Sequence, residues 1–516
     1  MSAAVKPWNP ALTRPGYDWS ILDMPSPGYF TGEVMLGSAY RALLLGVSES
    51  DVNLELLPSL PGRLAVPTAI NSTVWERILL GGPDSLASPQ PRGRSSRGSS
   101  LPQVSPLVPE LASHGCVIGT VRSRENPANL LFVTILRGLG ESGARTLLKR
   151  LAQSLSVEAN DDIFARFIEE NLRKVSGSQL RNPPPAPGVL TRDKDVNRYF
   201  EISGDAVRVS PVAAIFARDL GTILSLKPRL TRRQWTVLLE TMIRLGLGTQ
   251  VLWTCRTTEG VWRYATEVLE GHGPPPIDRI RKELWESHVA RDPLLEIGPG
   301  VGPAVRNRLG RYARARVGLN SVLFGLETSG HPWTSPIGIP SVGHSSEEAI
   351  LSFLIHLDAN RGLMGTTPIA DAAGIPPGWV NCTSGFTRNF WFFLVYGMGR
   401  LRPADTFFQG YDQSYILAKK RDAQTPAGKI DRSPWIFRLG PSALVALVHA
   451  CCQSEAALHA TMDDFRRLLS GYGILADGDE LKNGTLGTDL QRLGLVIDSP
   501  DGGGGRLLVD PMGGHA

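Results

Sequence analysis

The segment from Ser442 to Pro511 switches from a helical to an alternating hydrophobic period in a set order, and few folds accommodate that order. Leu444, Val445, Leu447 and Val448 supply the apolar side of a first helix. Thr461-Met462-Asp463-Asp464 opens a second by capping its free amides. Phe465, Leu468 and Leu469 turn inward, and Gly471 and Gly473 break it. A third helix is predicted around Leu486 to Leu493, closing at Gly494. It runs straight into Leu495-Val496-Ile497, the turn SPDGGGG, and Arg506-Leu507-Leu508-Val509. Two short apolar runs around an Asp-Gly turn read as a hairpin.

Three helices followed by a hairpin resemble the winged-helix domains of bacterial regulators, in which a third helix ending L-x-x-L-G-L-V precedes a β wing. If the segment reads DNA, the third helix presents donors to base edges and positive charge to phosphates. Lys482, Thr488, Gln491 and Arg492 are the candidates there, with Arg506 on the wing. Asp489 and the preceding Asp477, Asp479 and Glu480 oppose a polyanion. DNA contact and a structural or protein-binding role therefore both stay open.

A second signal is Leu294-Leu295-Glu296-Ile297-Gly298-Pro299-Gly300-Val301-Gly302, followed by PAVRNRLGRYARARVGLN. It resembles the opening motif of S-adenosylmethionine-dependent methyltransferases, where a strand ends in an acid and a G-x-G-x-G loop lets the backbone approach the cofactor. That resemblance implies a cofactor held by Glu296, Gly298, Gly300 and Gly302, with Glu327 on the ribose. The same turn resembles the hairpin of a helix-hairpin-helix, whose amides bind phosphate without reading sequence. Arg306, Arg308, Arg311, Arg314 and Arg316 follow it, with no acid between Glu296 and Glu327. Helical spacing puts Arg308, Arg311 and Arg314 on one face and Val305, Leu309 and Tyr312 on another, an amphipathic basic helix. A surface helix neutralised by acids elsewhere, such as Glu283 and Glu286, is the third reading.

The rest of the chain reads as mainly α with minor β, in several domains. Thr231 and Gln234 form a capping box, and Gly246 is expected to stop the helix they start. Thr366 to Ile375 resembles the second helix and turn of a helix-turn-helix, although Pro376-Pro377-Gly378 departs from the usual continuation. Pro/Gly boundaries and composition divide the chain into a small mixed domain at 1–80, a flexible linker at 81–109 and a helical domain at 110–180. A second helical, winged-helix-like domain is expected at 191–270, then the Gly-rich turn with its flanking helices at 277–328. A helix-turn-helix-like domain at 345–420 and the winged helix at 437–511 complete the division.

A net charge of +5 spread over 516 residues says little about a polyanion partner. Five scattered cysteines form no disulfide or zinc framework. The N-terminus lacks a basic region followed by an apolar run, and the longest apolar stretch, Phe390 to Met398, is too short to cross a bilayer. These features predict a cytoplasmic chain with no membrane partner. No phosphate-binding G-x-x-x-x-G-K-[ST] loop, H-E-x-x-H helix or G-x-S-x-G elbow occurs. His449, Cys451, Cys452 and His459, and the run Phe390-Trp391-Phe392-Phe393, read as core rather than as a metal site or a base-stacking platform. The expected function is a non-enzymatic nucleic-acid-binding or scaffold subunit, with DNA and the proteins of a multisubunit system as partners and no cofactor. The alternative is the methyltransferase-like enzyme. Size, missing catalytic motifs and helix-turn-helix modules resemble accessory proteins of multigene anti-phage defence systems.

Overall fold

The structure, a computed structural model, describes residues 127–155, several positions between 158 and 166, 210–286, 292–333, 345–399, 415–419, 435–454, 460–497 and 506–513. The expectations for 1–80, for the linker at 81–109 and for the SPDGGGG turn lie outside the described residues.

Helix α1 (Pro127–Leu155) is broken at Gly140, whose φ of 72° side chains other than hydrogen rarely allow. It packs on α2 (Pro211–Ser225), which Ser210 opens by accepting the Ala213 amide, with Pro211 in the first turn. Helix α3 (Arg232–Leu269) starts at the predicted Thr231/Gln234 capping box. It does not stop at Gly246. A side chain there would fall well inside van der Waals contact with Phe216, and one at Gly248 would do the same with Met398. Both glycines are close-contact points inside a long helix, where absence of a side chain matters more than backbone freedom. Polar residues on α3 survive burial by bonding their own helix: Thr249 Oγ1 donates to the Leu245 carbonyl and Thr257 Oγ1 to that of Trp253.

Helix α4 (Ile277–Ile280) continues into a helical turn, and two short strands follow, β1 (Leu295–Glu296) and β2 (Gly298–Pro299). Helix α5 (Val301–Thr328) then runs along α3. Next come α6 (Ser346–Asn360), opened by a Ser345/Glu348 capping box, α7 (Thr367–Ala373), α8 (Pro377–Val380) and α9 (Gly385–Met398). Helices α7 and α8 are short segments laid across α5, and Val380 closes over Gly310, where a side chain would meet its carbonyl. Strands β3 (Leu417–Lys419) and β4 (Trp435–Phe437) precede α10 (Pro441–Ser454), α11 (Met462–Gly471), β5 (Ile474–Leu475), α12 (Gly478–Lys482), α13 (Thr485–Arg492), β6 (Val496–Ile497) and β7 (Leu507–Leu508).

The described chain is mainly helical with a few small sheets. Strand β1 pairs in parallel with β5, β2 and β3 flank β4 in an antiparallel sheet, and β6 pairs antiparallel with β7. One apolar cluster runs from Leu130 through Phe216, Trp253, Leu309 and Phe390 to Leu508, drawing on stretches that the sequence assigns to separate domains. A second, smaller cluster joins α3, α5 and α6 around Tyr264, Leu323 and Phe353. Among the described residues no helix is long and apolar enough to cross a membrane.

Candidate functional site

The three predicted helices occur in order as α10, α11 and α13, followed by the paired strands β6 and β7, but strand β5 and the short helix α12, absent from the sequence reading, lie between α11 and α13. Thr461 caps α11 through a reciprocal pair with Asp464, and Gly473 and Gly494 take the positive φ values, 74° and 69°, expected of helix-terminating glycines. Thr461 also bridges to Leu507, so a third short segment lines the β6–β7 hairpin. The Met462 amide donates to the Arg506 carbonyl at 3.0 Å, which holds that half-buried residue at the hairpin's edge.

Helix α13 divides into two sides. Leu486 and Leu490 are buried, whereas Thr485, Thr488, Gln491 and Arg492 are exposed. Asp489, which the sequence sets against a polyanion, turns inward: Arg438 grips its carboxylate with Nε at 3.1 Å and Nη2 at 2.9 Å. Asp477 and Glu480 are also engaged locally. The Asp477 carboxylate accepts the Glu480 amide at 2.6 Å, and the Glu480 carboxylate accepts the Leu486 amide at 2.9 Å at the start of α13. Asp479 stays exposed. Nothing is described of the Lys482 side chain.

His449 and Asp510 fix the end of the hairpin to α10. His449 Nδ1 lies 2.8 Å from Asp510 Oδ1, and that carboxylate also accepts Gln453 Nε2 at 2.9 Å and the Met512 amide at 2.9 Å. Burial pushes the Asp510 carboxyl up, but these hydrogen bonds and the His449 charge outweigh it and hold the group below the usual carboxylate range. A carboxyl depressed in the folded state stabilises the protein above its unfolded value of about 4 and loses that contribution as pH falls through the lower folded value. Asp510→Asn is therefore expected to cost about 1–2 kcal/mol at pH 7 and to flatten the stability curve below about pH 4. Urea titrations across that range check it, and an unchanged acid slope rules the coupling out.

The Gly-rich turn lies beside this unit. Gly298 pairs with Phe437 in the sheet, and Arg438, the next residue, reaches Asp489 on α13. The Ile297 amide donates to the Leu475 carbonyl at 3.2 Å, tying the turn to β5. Gly298 and Gly300 carry φ of 118° and 99°, with open space around both, and Gly300 caps α5 without any side-chain partner. Glu296 is exposed nearby.

Helix α5 is not the open basic surface helix that its spacing suggests. Arg308 is buried, its guanidinium on Asp292 at 2.6 Å and on the Pro293 carbonyl at 3.0 Å. Arg311 faces Glu259 at 3.1 Å, and buried Arg316 donates to the Tyr312 hydroxyl at 3.1 Å. Burial raises the Asp292 carboxyl, yet Arg308, Arg256 and Arg311 together bring it below its usual range, while burial wins at Glu259 and keeps that carboxyl raised. Arg306 and Arg314 remain exposed. Arg306 lies over the Trp391 ring at 4.5 Å, and Arg388 lies over Phe392 at 5.4 Å.

The cofactor reading fails on length. Gly302 and Glu327 sit near opposite ends of one unbroken helix, roughly 38 Å apart along its axis at the rise of an α-helix, so they cannot close on one ligand. The only parallel strand pair among the described residues is the two-residue β1–β5 ladder. His449 and Cys451 are buried, and no group of metal-ligating side chains occurs among the described residues. Phe390, Trp391 and Phe393 are buried, as expected of core. Sequence reasoning missed Arg438, Asp292 and Arg388, because each acquires its role from a residue distant in the chain. Comparison of the chain with protein-family models, with curated proteins and with solved structures found no match.

Proposed function

We propose that this chain is a non-enzymatic nucleic-acid-binding subunit of a cytoplasmic multisubunit assembly, with the unit from α10 to β7 acting as a winged helix and α13 as its DNA-facing helix. The observation that carries the reading is the inward turn of Asp489 onto Arg438, which leaves Thr485, Thr488, Gln491 and Arg492 as the exposed side of α13. Gln and Arg are side chains that reach base edges with paired donors, and Thr hydroxyls reach phosphates. Helix, hairpin and the Thr461 bridge follow the order that such domains use to place a third helix in a major groove. A role in antiviral defence is an extension of this proposal, drawn from the overall likeness to defence-system accessory proteins.

The test uses the full chain and a labelled DNA duplex, with affinity measured by fluorescence anisotropy from about 50 to about 200 mM salt. Binding is expected to weaken steeply with salt. The Gln491→Ala/Arg492→Glu variant should lose at least about tenfold in affinity and change its preference among duplexes of different sequence. Salt-insensitive binding, or none by the wild-type chain, sinks the proposal, and so does a variant that binds like wild type.

A further inference from the structure

We infer that Arg306 and Arg388 are a pair of phosphate-gripping side chains that contact the nucleic-acid backbone. The inference rests on the nucleic-acid reading above and supplies what that reading lacks, since Arg492 is the one cation on the exposed side of α13.

Arg306 projects from the second turn of α5 and Arg388 from the first turn of α9, and both are exposed. Their guanidinium groups rest on neighbouring rings, Trp391 at 4.5 Å and Phe392 at 5.4 Å. A guanidinium laid on a ring keeps its N–H edge outward while losing rotational freedom, so less entropy is surrendered when an anion arrives. Neither arginine has a carboxylate partner among the described residues, in contrast to Arg308 and Arg311, which are held by Asp292 and Glu259. The acid-paired arginines of α5 are thus consumed by the fold, and these two are left over with their donors available.

The surroundings suit a polyanion. Trp391 packs against the first turn of α5, because a side chain on Gly302 would touch its ring at 3.5 Å. Consecutive ring positions on a helix diverge by about 100°, so the two guanidinium groups splay instead of converging on one small anion. Gly298, in the turn that opens α5, pairs with Phe437, and Arg438 beside it reaches Asp489, so α5 and α13 are joined through one short sheet. Glu296 is the exposed acid in the turn itself.

The experiment again uses the full chain and labelled duplexes, now comparing Arg306→Glu/Arg388→Glu with Arg306→Lys/Arg388→Lys. The Glu pair is expected to lower affinity at low salt by tenfold or more, to reduce the slope of log affinity against log salt by about 2, and to do so equally for unrelated duplex sequences. The Lys pair should keep the slope. If the Glu pair unfolds, Arg306→Gln/Arg388→Gln should show the same reduction in slope. Wild-type binding with a slope that neither the Glu nor the Gln pair changes overturns this inference alone. No binding by the wild-type chain overturns the functional proposal and this inference with it.

Discussion

Trp235→Ala is expected to destabilise the chain by about 3–5 kcal/mol, the range for truncating a fully buried large aromatic residue. Trp235 has 0% exposure, and its indole Nε1 donates to the Ile223 carbonyl at 3.0 Å. That contact fixes the start of α3 to the end of α2, so the variant loses apolar burial, gains a cavity and leaves a carbonyl without its donor. Trp235→Phe should retain most of the packing and cost about 1–2 kcal/mol, chiefly the hydrogen bond and the unfilled space. Urea unfolding followed by far-ultraviolet circular dichroism reads both. An alanine variant less than about 1.5 kcal/mol below wild type means that α1, α2 and α3 can collapse around the gap, contrary to the close packing described.

Arg438→Ala should have the next largest effect, about 2–3 kcal/mol of stability together with a loss of DNA affinity, although Arg438 is not offered as a DNA contact. Asp489 is almost wholly enclosed, and without Arg438 its nearest cation is Arg492 at 4.0 Å. Removing one partner of such a pair strands the other charge, which costs more than the pair itself contributes, here discounted because Arg438 is 39% exposed. The stranded carboxylate also repels phosphate. Adding Asp489→Asn to Arg438→Ala is expected to recover at least half of both losses. Should the second substitution recover neither, Asp489 and Arg438 act independently, and the inward turn of Asp489 no longer supports the nucleic-acid reading.

What the sequence made legible was local. The Thr231 and Thr461 caps, the helices α10, α11 and α13 and the closing Gly494 all depend on residues within a turn or two of one another. Gly246 misleads for the opposite reason, since a glycine ending a helix and one admitting Phe216 look alike until the partner helix is known. The arginines of α5 mislead similarly. Their spacing is that of a basic face, but Asp292 and Glu259 come from other segments and pair with Arg308 and Arg311. Arg438 and Asp489 stand 51 positions apart, and no periodicity announces such a pair.

The stretch from Leu295 to Pro299 has a further consequence. Within a few residues it serves two sheets, through β1 to β5 on one side and β2 to β4 on the other. Tyr472 adds another tie, its hydroxyl donating to buried Asp219 on α2 at 2.8 Å. The C-terminal unit is therefore not a detachable bead. Excised near residue 437, it would leave behind the neighbour of β5, expose Ile474 and Tyr472 to water, and carry off a strand edge with nothing to pair it. Nor can it be grafted elsewhere without residues contributed by the middle of the chain. Whatever grips α13 pulls directly on the turn that starts α5, so a load on the last helix is felt at the centre of the molecule.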